Sequence, residues 1–139
     1  MKKIILLSIF TFIGFMAVNA ASIKMGAELT DEYFPLLKGK RIGVFSNQTG
    51  VVNGVHTVDL MKNAGFDIQI IFSPEHGFRG DADAGELVND ETDPKTGVPV
   101  FSLYKAKGGE PDKETLSKID ILVMDIQDVG LRFYTYYVT

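Results

Sequence analysis

The stretch "DIQIIFSPEHGFRG", residues 67–80, carries an apolar run that stops at Pro74 and releases Glu75 and His76 before Gly77 and Arg79 before Gly80. Six residues of mostly Ile and Phe are too few for a helix and read as a buried strand. Upstream, "VHTVDLMKNAG" (55–65) puts Val55, Val58, Leu60, Met61 and Ala64 on an approximate helical face, with Gly65 as its stop. Before it, "RIGVFSNQTG" reads as a strand over 41–46 entering a turn at 47–50. Downstream, a Gly- and acid-rich connection over 73–97 lacks any period. "VPVFSLY" (98–104) then reads as a third strand, and "KGGEPDKETLSKI" as a turn and a short helix with Pro111 near its start. "DILVMDIQDVG" (120–130) opens as a fourth strand that ends at Asp125 or Ile126.

Continuously apolar strands need cover on both faces, as parallel sheets have, and alternation with helices gives βαβ units. The expected fold is α/β: a Rossmann-like, doubly wound, mostly parallel sheet. Residues 41–139 form that domain, 21–40 a lead-in with a helix near 29–37 capped by Thr30 or Asp31, and 1–20 a signal peptide. The aromatic ending "GLRFYTYYVT" reads as the start of another helix, so the domain is expected to be incomplete at its C-terminus.

Lys2 and Lys3 precede an apolar stretch from Ile4 to Val18, and Val18-Asn19-Ala20 fits a cleavage site. The alternative is an uncleaved anchor, for which a stretch of fifteen residues is short. Cleavage after Ala20 leaves no stable membrane anchor and a periplasmic or secreted bacterial protein. The chain has no Cys, which removes disulfides, thiolate chemistry and Cys-based metal sites. Its net charge of −4 and lack of a basic run give nucleic-acid binding no support.

Doubly wound sheets bind ligands beyond the carboxyl ends of their strands. Those ends deliver Asn47, Gln48 and Thr49; Glu75, His76 and Arg79; Tyr104; and Asp125, Gln127, Asp128 and Arg132. No G-x-G-x-x-G, G-x-x-x-x-G-K-[ST] or G-x-S-x-G is present, so dinucleotide, P-loop and serine-hydrolase sites lack support. Carboxylates, amides, one loop His and Arg are the groups used to hydrolyse a glycosidic bond: one carboxyl protonates the leaving oxygen, and a second group handles water or a covalent intermediate.

"SNQTGV", "SPEHGFRG", "VPVFSLY" and "DIQDVGLRFYTY" together resemble the bacterial exo-β-N-acetylmuramidase family called NamZ, long called a domain of unknown function. The resemblance covers about residues 38–139. It implies a periplasmic or secreted glycoside hydrolase that removes N-acetylmuramic acid from the non-reducing end of peptidoglycan fragments. It also implies a Rossmann-like domain followed by a smaller one, with the cleft between them, so this chain matches the N-terminal part.

Glu75 matches the Glu of the family's P-E-H-G motif and is the expected acid, placed where partial desolvation favours a protonated carboxyl. The alternative is a loop Glu that caps a turn or pairs with Arg79. His76 is expected to orient Glu75 or contact substrate, against a structural hydrogen bond. Asp125 is the expected second carboxylate, with Asp128 on sugar hydroxyls; capping of the next segment is the alternative for both. Asn47 and Gln48 are expected on the sugar, or as turn residues. Arg79 and Arg132 are expected on the lactyl carboxylate of muramic acid, against internal ion pairs. Of Phe133, Tyr134, Tyr136 and Tyr137, one is assigned to sugar stacking and the rest to packing. His56 is expected to face solvent or cap its helix. His76 with Asp81 and Asp83 matches no zinc spacing, so no metal or cofactor is expected. The rivals are a non-catalytic cell-wall sugar-binding module, a metal-dependent hydrolase using Glu75, His76, Asp81 and Asp125, and an inert interaction protein. The expected substrate is a muropeptide or disaccharide derived from peptidoglycan.

Overall fold

The computed structural model describes residues 23–107, 109–131 and Tyr136. The signal-peptide segment, Arg132, Phe133, Tyr134 and Tyr137 lie outside the described residues. Helix α1 (Thr30–Leu37) precedes β1 (Arg41–Ser46); β2 (Val51–Val52) and β3 (Val55–His56) form a hairpin that leads into α2 (Thr57–Asn63). Then come β4 (Asp67–Ser73), β5 (Glu91–Thr92), β6 (Pro99–Ser102), α3 (Lys113–Ser117) and β7 (Ile121–Asp125).

The main sheet runs β5-β6-β4-β1-β7. β6, β4, β1 and β7 are parallel, and β5 pairs antiparallel with β6. The sheet is thus mostly parallel, as its apolar strands required, with one antiparallel edge. Taken in chain order, the four parallel strands lie third, second, first, fourth. The order reverses between β1 and β7, and that is where an open α/β sheet leaves a crevice.

Residues alternate between the two faces of each strand. Ile42 and Val44 of β1, Ile68 and Ile71 of β4 and Val100 of β6 join Val58 and Met61 of α2 and Leu37 of α1 in the larger core. Tyr33 and Phe34 of α1 pack against it, so the stretch read as a lead-in belongs to the folded unit. On the opposite face Phe45, Ile70 and Phe72 meet Ile119, Phe101 and Leu103. At the amino ends of the strands, the Arg41 guanidinium binds Asp120 at 2.7 Å and holds that carboxyl down at about 2.

β1 and β4 are buried on both faces, but β7 alternates. Leu122 is 47% exposed and Met124 58%. Continuous cover, expected for all the apolar strands, fails at β7, because it is the sheet's outer strand and no described element packs on that face. The expected cap of α1 fails too: its N-cap is Leu29, with no side-chain hydrogen bond.

The hairpin was not expected from the sequence. Asn53 (φ 50°) and Gly54 (φ 81°) both take the left-handed region. A two-residue turn of that hand matches the twist of the strands it joins, and Asn-Gly is its usual pair. β5 was likewise absorbed into the long connection.

Candidate functional site

The strand register sets the geometry of the crevice. Ser46 at the end of β1 pairs with Asp125 of β7, and Phe45 pairs with Phe72 of β4. The carboxyl ends of β4, β1 and β7 therefore finish along one rim, with β1 in the middle. At a spacing of ~4.8 Å between neighbouring strands, the backbones of β4 and β7 are about 10 Å apart. β1 and the turn that follows it lie between them. No hydrogen bond joins Glu75 to Asp125 or Asp128 among the described residues.

On the β7 side, Asp125 is half-buried, and its Oδ2 accepts a short hydrogen bond from the Thr57 hydroxyl at the start of α2. The Thr57 amide donates to the Gly50 carbonyl at 2.9 Å, which ties α2 to the turn after β1. Asp125 thus serves as an acceptor across the β1–β7 junction. A cleft of about 690 Å³ opens beside it, lined by Thr49, Thr57, Asp125 and Gln127 at its polar end and by Tyr33 and Leu36 on its apolar wall. Burial, followed by the charge of Asp125, raises the Tyr33 phenol above its ordinary value.

In the middle, Asn47 is buried. Its Oδ1 accepts from the Thr49 amide at 3.0 Å and the Thr49 hydroxyl at 2.7 Å, which makes the turn that sequence allowed for. Its Nδ2 has no partner among the described residues. A buried donor left over in this way is uncommon in native structures. Gln48 is exposed and lies against Gly80: a Cβ on Gly80, whose φ is +81°, would come within 2.9 Å of the Gln48 side chain. The loop after β1 and the loop after β4 therefore touch, and Gly80 permits the approach.

On the β4 side, Glu75 is half-buried and its Oε1 accepts from the Gly85 amide at 2.8 Å. It does not pair with Arg79. His76 takes φ 74°, rare for a residue with a side chain, and its Nδ1 lies 3.1 Å from the Ala82 carbonyl. Its ring holds the loop's own backbone, which was the alternative role expected for it.

Arg79 is a correction. Its guanidinium donates to Asp93 Oδ1 at 2.9 Å and Oδ2 at 2.8 Å, and to Asp59 Oδ1 at 2.8 Å and Oδ2 at 3.3 Å. Both carboxylates are buried. Burial pushes Asp59 and Asp93 up, but the hydrogen bonds and charge of Arg79 outweigh it, and both end below the ordinary carboxylate range. A fork spent on two carboxylates is not presented to a lactyl carboxylate, because moving it would strand two buried charges. Asp128 is exposed, and its Oδ1 caps the Gly130 amide at 2.6 Å, a local turn and not a convergent contact.

Sequence reasoning missed Asp59, Asp93 and Thr57. One signal was available: Asp59 sits between Val58 and Leu60, beside the apolar face of the helix, where a buried acid needs a cation. His56 was expected to cap α2 or face solvent; it caps, but buried. Nδ1 accepts from the Val58 amide at 3.2 Å, so it carries no proton, and Nε2–H donates to the Asn47 carbonyl at 2.9 Å. Burial lowers the His56 pKa, against the hydrogen bond to Asn47. The unfolded chain therefore binds this proton first as pH falls. Stability from His56 should be complete above about 6.5 and lost on acidification toward its lower folded value. Urea midpoints taken between about pH 7.5 and 5 check this. The His56→Asn variant, which keeps a cap, should show a shallower decline, and an unchanged slope refutes the assignment.

Among the described residues no group of three or more His, Asp or Glu side chains could hold a metal ion. Glu75, His76, Asp81 and Asp125 do not form the cluster that a metal-hydrolase reading needs.

Comparison with known proteins agrees with this fold. The chain is 50% identical over 113 residues to a protein of Bacillus subtilis (strain 168) named "Peptidoglycan beta-N-acetylmuramidase NamZ", covering 80% of this chain and 27% of the relative. Crystal structures of two DUF1343 family proteins from Bacteroides fragilis superpose with TM-scores of 0.67 each, at 50% and 42% identity. They cover 81% and 79% of this chain, which spans 28% and 27% of theirs. The chain thus spans little over a quarter of the length of these relatives. The family described as "Exo-beta-N-acetylmuramidase NamZ, N-terminal" matches residues 42–139, and the chain belongs to that family.

Proposed function

We propose that this chain forms the N-terminal wall of an exo-acting β-N-acetylmuramidase, a glycosidase that removes N-acetylmuramic acid from the non-reducing end of peptidoglycan fragments. The observation that carries the reading is the position of Glu75, half-buried on the P-E-H-G loop at the end of β4, on the same rim as the β1–β7 junction and one strand away from it. In this reading the Glu75 carboxyl protonates the glycosidic oxygen as the bond to the departing sugar breaks. Asp125, across β1, serves as the second carboxylate or holds hydroxyls. The Asn47 Nδ2, buried and without a partner among the described residues, reaches a sugar only if the turn after β1 opens. Family membership supports the substrate class, and the relative's name supports peptidoglycan as its source.

The lactyl carboxylate then falls to Arg132, since Arg79 is engaged elsewhere. The proposal includes export: Lys2, Lys3, the apolar stretch to Val18 and the small residue at Ala20 support cleavage there and a periplasmic or secreted location. A mature amino terminus at Ala21 would bear that part out, and an intact Met1 on the exported protein would overturn it.

The test is turnover of a chromogenic muramic acid glycoside by a full-length version carrying this sequence. Continuous release of the chromophore is the expected result. Saturable binding without release favours a sugar-binding module. Release abolished by a chelator and restored by added metal favours a metal-dependent hydrolase.

A further inference from the structure

We infer that Arg79 is a positioning residue: clamped between Asp59 of α2 and Asp93 behind β5, it holds the Glu75 loop at the crevice rim. The inference rests on the reading of Glu75 as the acid. No helix or strand supports the chain between Ser73 and Glu91. Its backbone ties are few: Gly77 to Pro74, Ala82 to His76 and Glu86 to Asp83 within the segment, and Val88 to Tyr104 beyond it. His76 and Gly77 hold left-handed conformations, φ 74° and 76°. A non-glycine residue in that region costs about 1–3 kcal/mol and persists only where its surroundings over-determine it.

Arg79 supplies that restraint three residues on. Its guanidinium lies 4.5 Å above the ring of Phe78, which is itself buried in the larger core. Four hydrogen bonds then fix the fork in two planes, one carboxylate on a helix and the other at a strand end. Asp93 is tied down in turn by the Thr96 amide at 3.0 Å and hydroxyl at 2.5 Å, and Asp59 by Lys95 at 2.6 Å. The brace therefore connects the loop to parts of the chain that do not bend with it. A lysine carries the charge but not the fork, and it reaches only one carboxylate well.

The experiment uses a full-length version with Arg79→Lys and, separately, Asp93→Asn, which keeps the Asp59 half of the clamp. Two readouts are taken: steady-state kinetics on the muramic acid glycoside, and hydrogen exchange of the Gly85 amide, which donates to Glu75. Displacement of a catalytic group by about 1 Å costs on the order of 100-fold. The expected result for Arg79→Lys is therefore a kcat lower by about that factor with KM within about threefold, and Gly85 exchange at least about tenfold faster. Asp93→Asn should move both in the same direction by less. Lower thermal stability with kcat and Gly85 protection unchanged would overturn the inference and leave Arg79 a stabilising ion pair only. If Arg79→Lys does not fold, Asp93→Asn decides by the same two readouts. A wild type without turnover sinks the functional reading alone, because Gly85 exchange still reports whether the brace holds the loop.

Discussion

A full-length version with Glu75→Gln is expected to lose at least about 1,000-fold in release of muramic acid, while its thermal unfolding stays within about 3 °C of wild type. The amide keeps the shape of the side chain and can still accept from the Gly85 amide, so the loop has no reason to rearrange. What it lacks is a proton to give. General acid catalysis accounts for factors of about 10² to 10⁴, and a poor leaving group puts the loss toward the upper end. A chromogenic glycoside with a good leaving group should therefore lose less than a natural disaccharide, since it needs less protonation. Near-normal turnover of the disaccharide by Glu75→Gln removes Glu75 from the acid's role.

The second large effect is on stability. Phe78→Ala should cost about 3–5 kcal/mol, read as a lower urea midpoint with an unchanged slope. Phe78 is 1% exposed, and its ring meets His56 edge-on at 4.6 Å and supports the Arg79 guanidinium from below. Domains are stable by only about 5–15 kcal/mol, so one such cavity removes a large share. Phe78→Leu fills most of the space and should cost about 1–1.5 kcal/mol. If the two variants behave alike, the ring's packing is not what holds the loop down.

The parallel strands could be read from the sequence because their signal is local. "RIGVFS" and "ILVMD" are strands over the residues expected of them, and α2 ends where Gly65 predicted. The hairpin is legible too: "VVNGVH" sets Asn-Gly between valines, the usual pair for a two-residue turn. β5 was not legible, since two exposed residues acquire strand geometry only by pairing with β6. The strand-end rule put Asn47, Glu75 and Asp125 at the carboxyl ends of β1, β4 and β7, because a parallel sheet finishes all its strands on one rim. It misassigned Arg79, whose partners lie 14 and 20 residues away and meet it only after the long loop folds back. Charge partners across such distances are chosen by tertiary contact, which no periodicity records.

The two-residue β5 also decides in which direction the architecture can be extended. It is short, exposed and followed two residues on by Pro94, so it is poorly suited to lateral growth on its flank. Any strand added to this sheet joins more readily beyond β7, next to Asp125. A strand paired there would border the crevice, so that edge and not β5 sets the shape of its mouth.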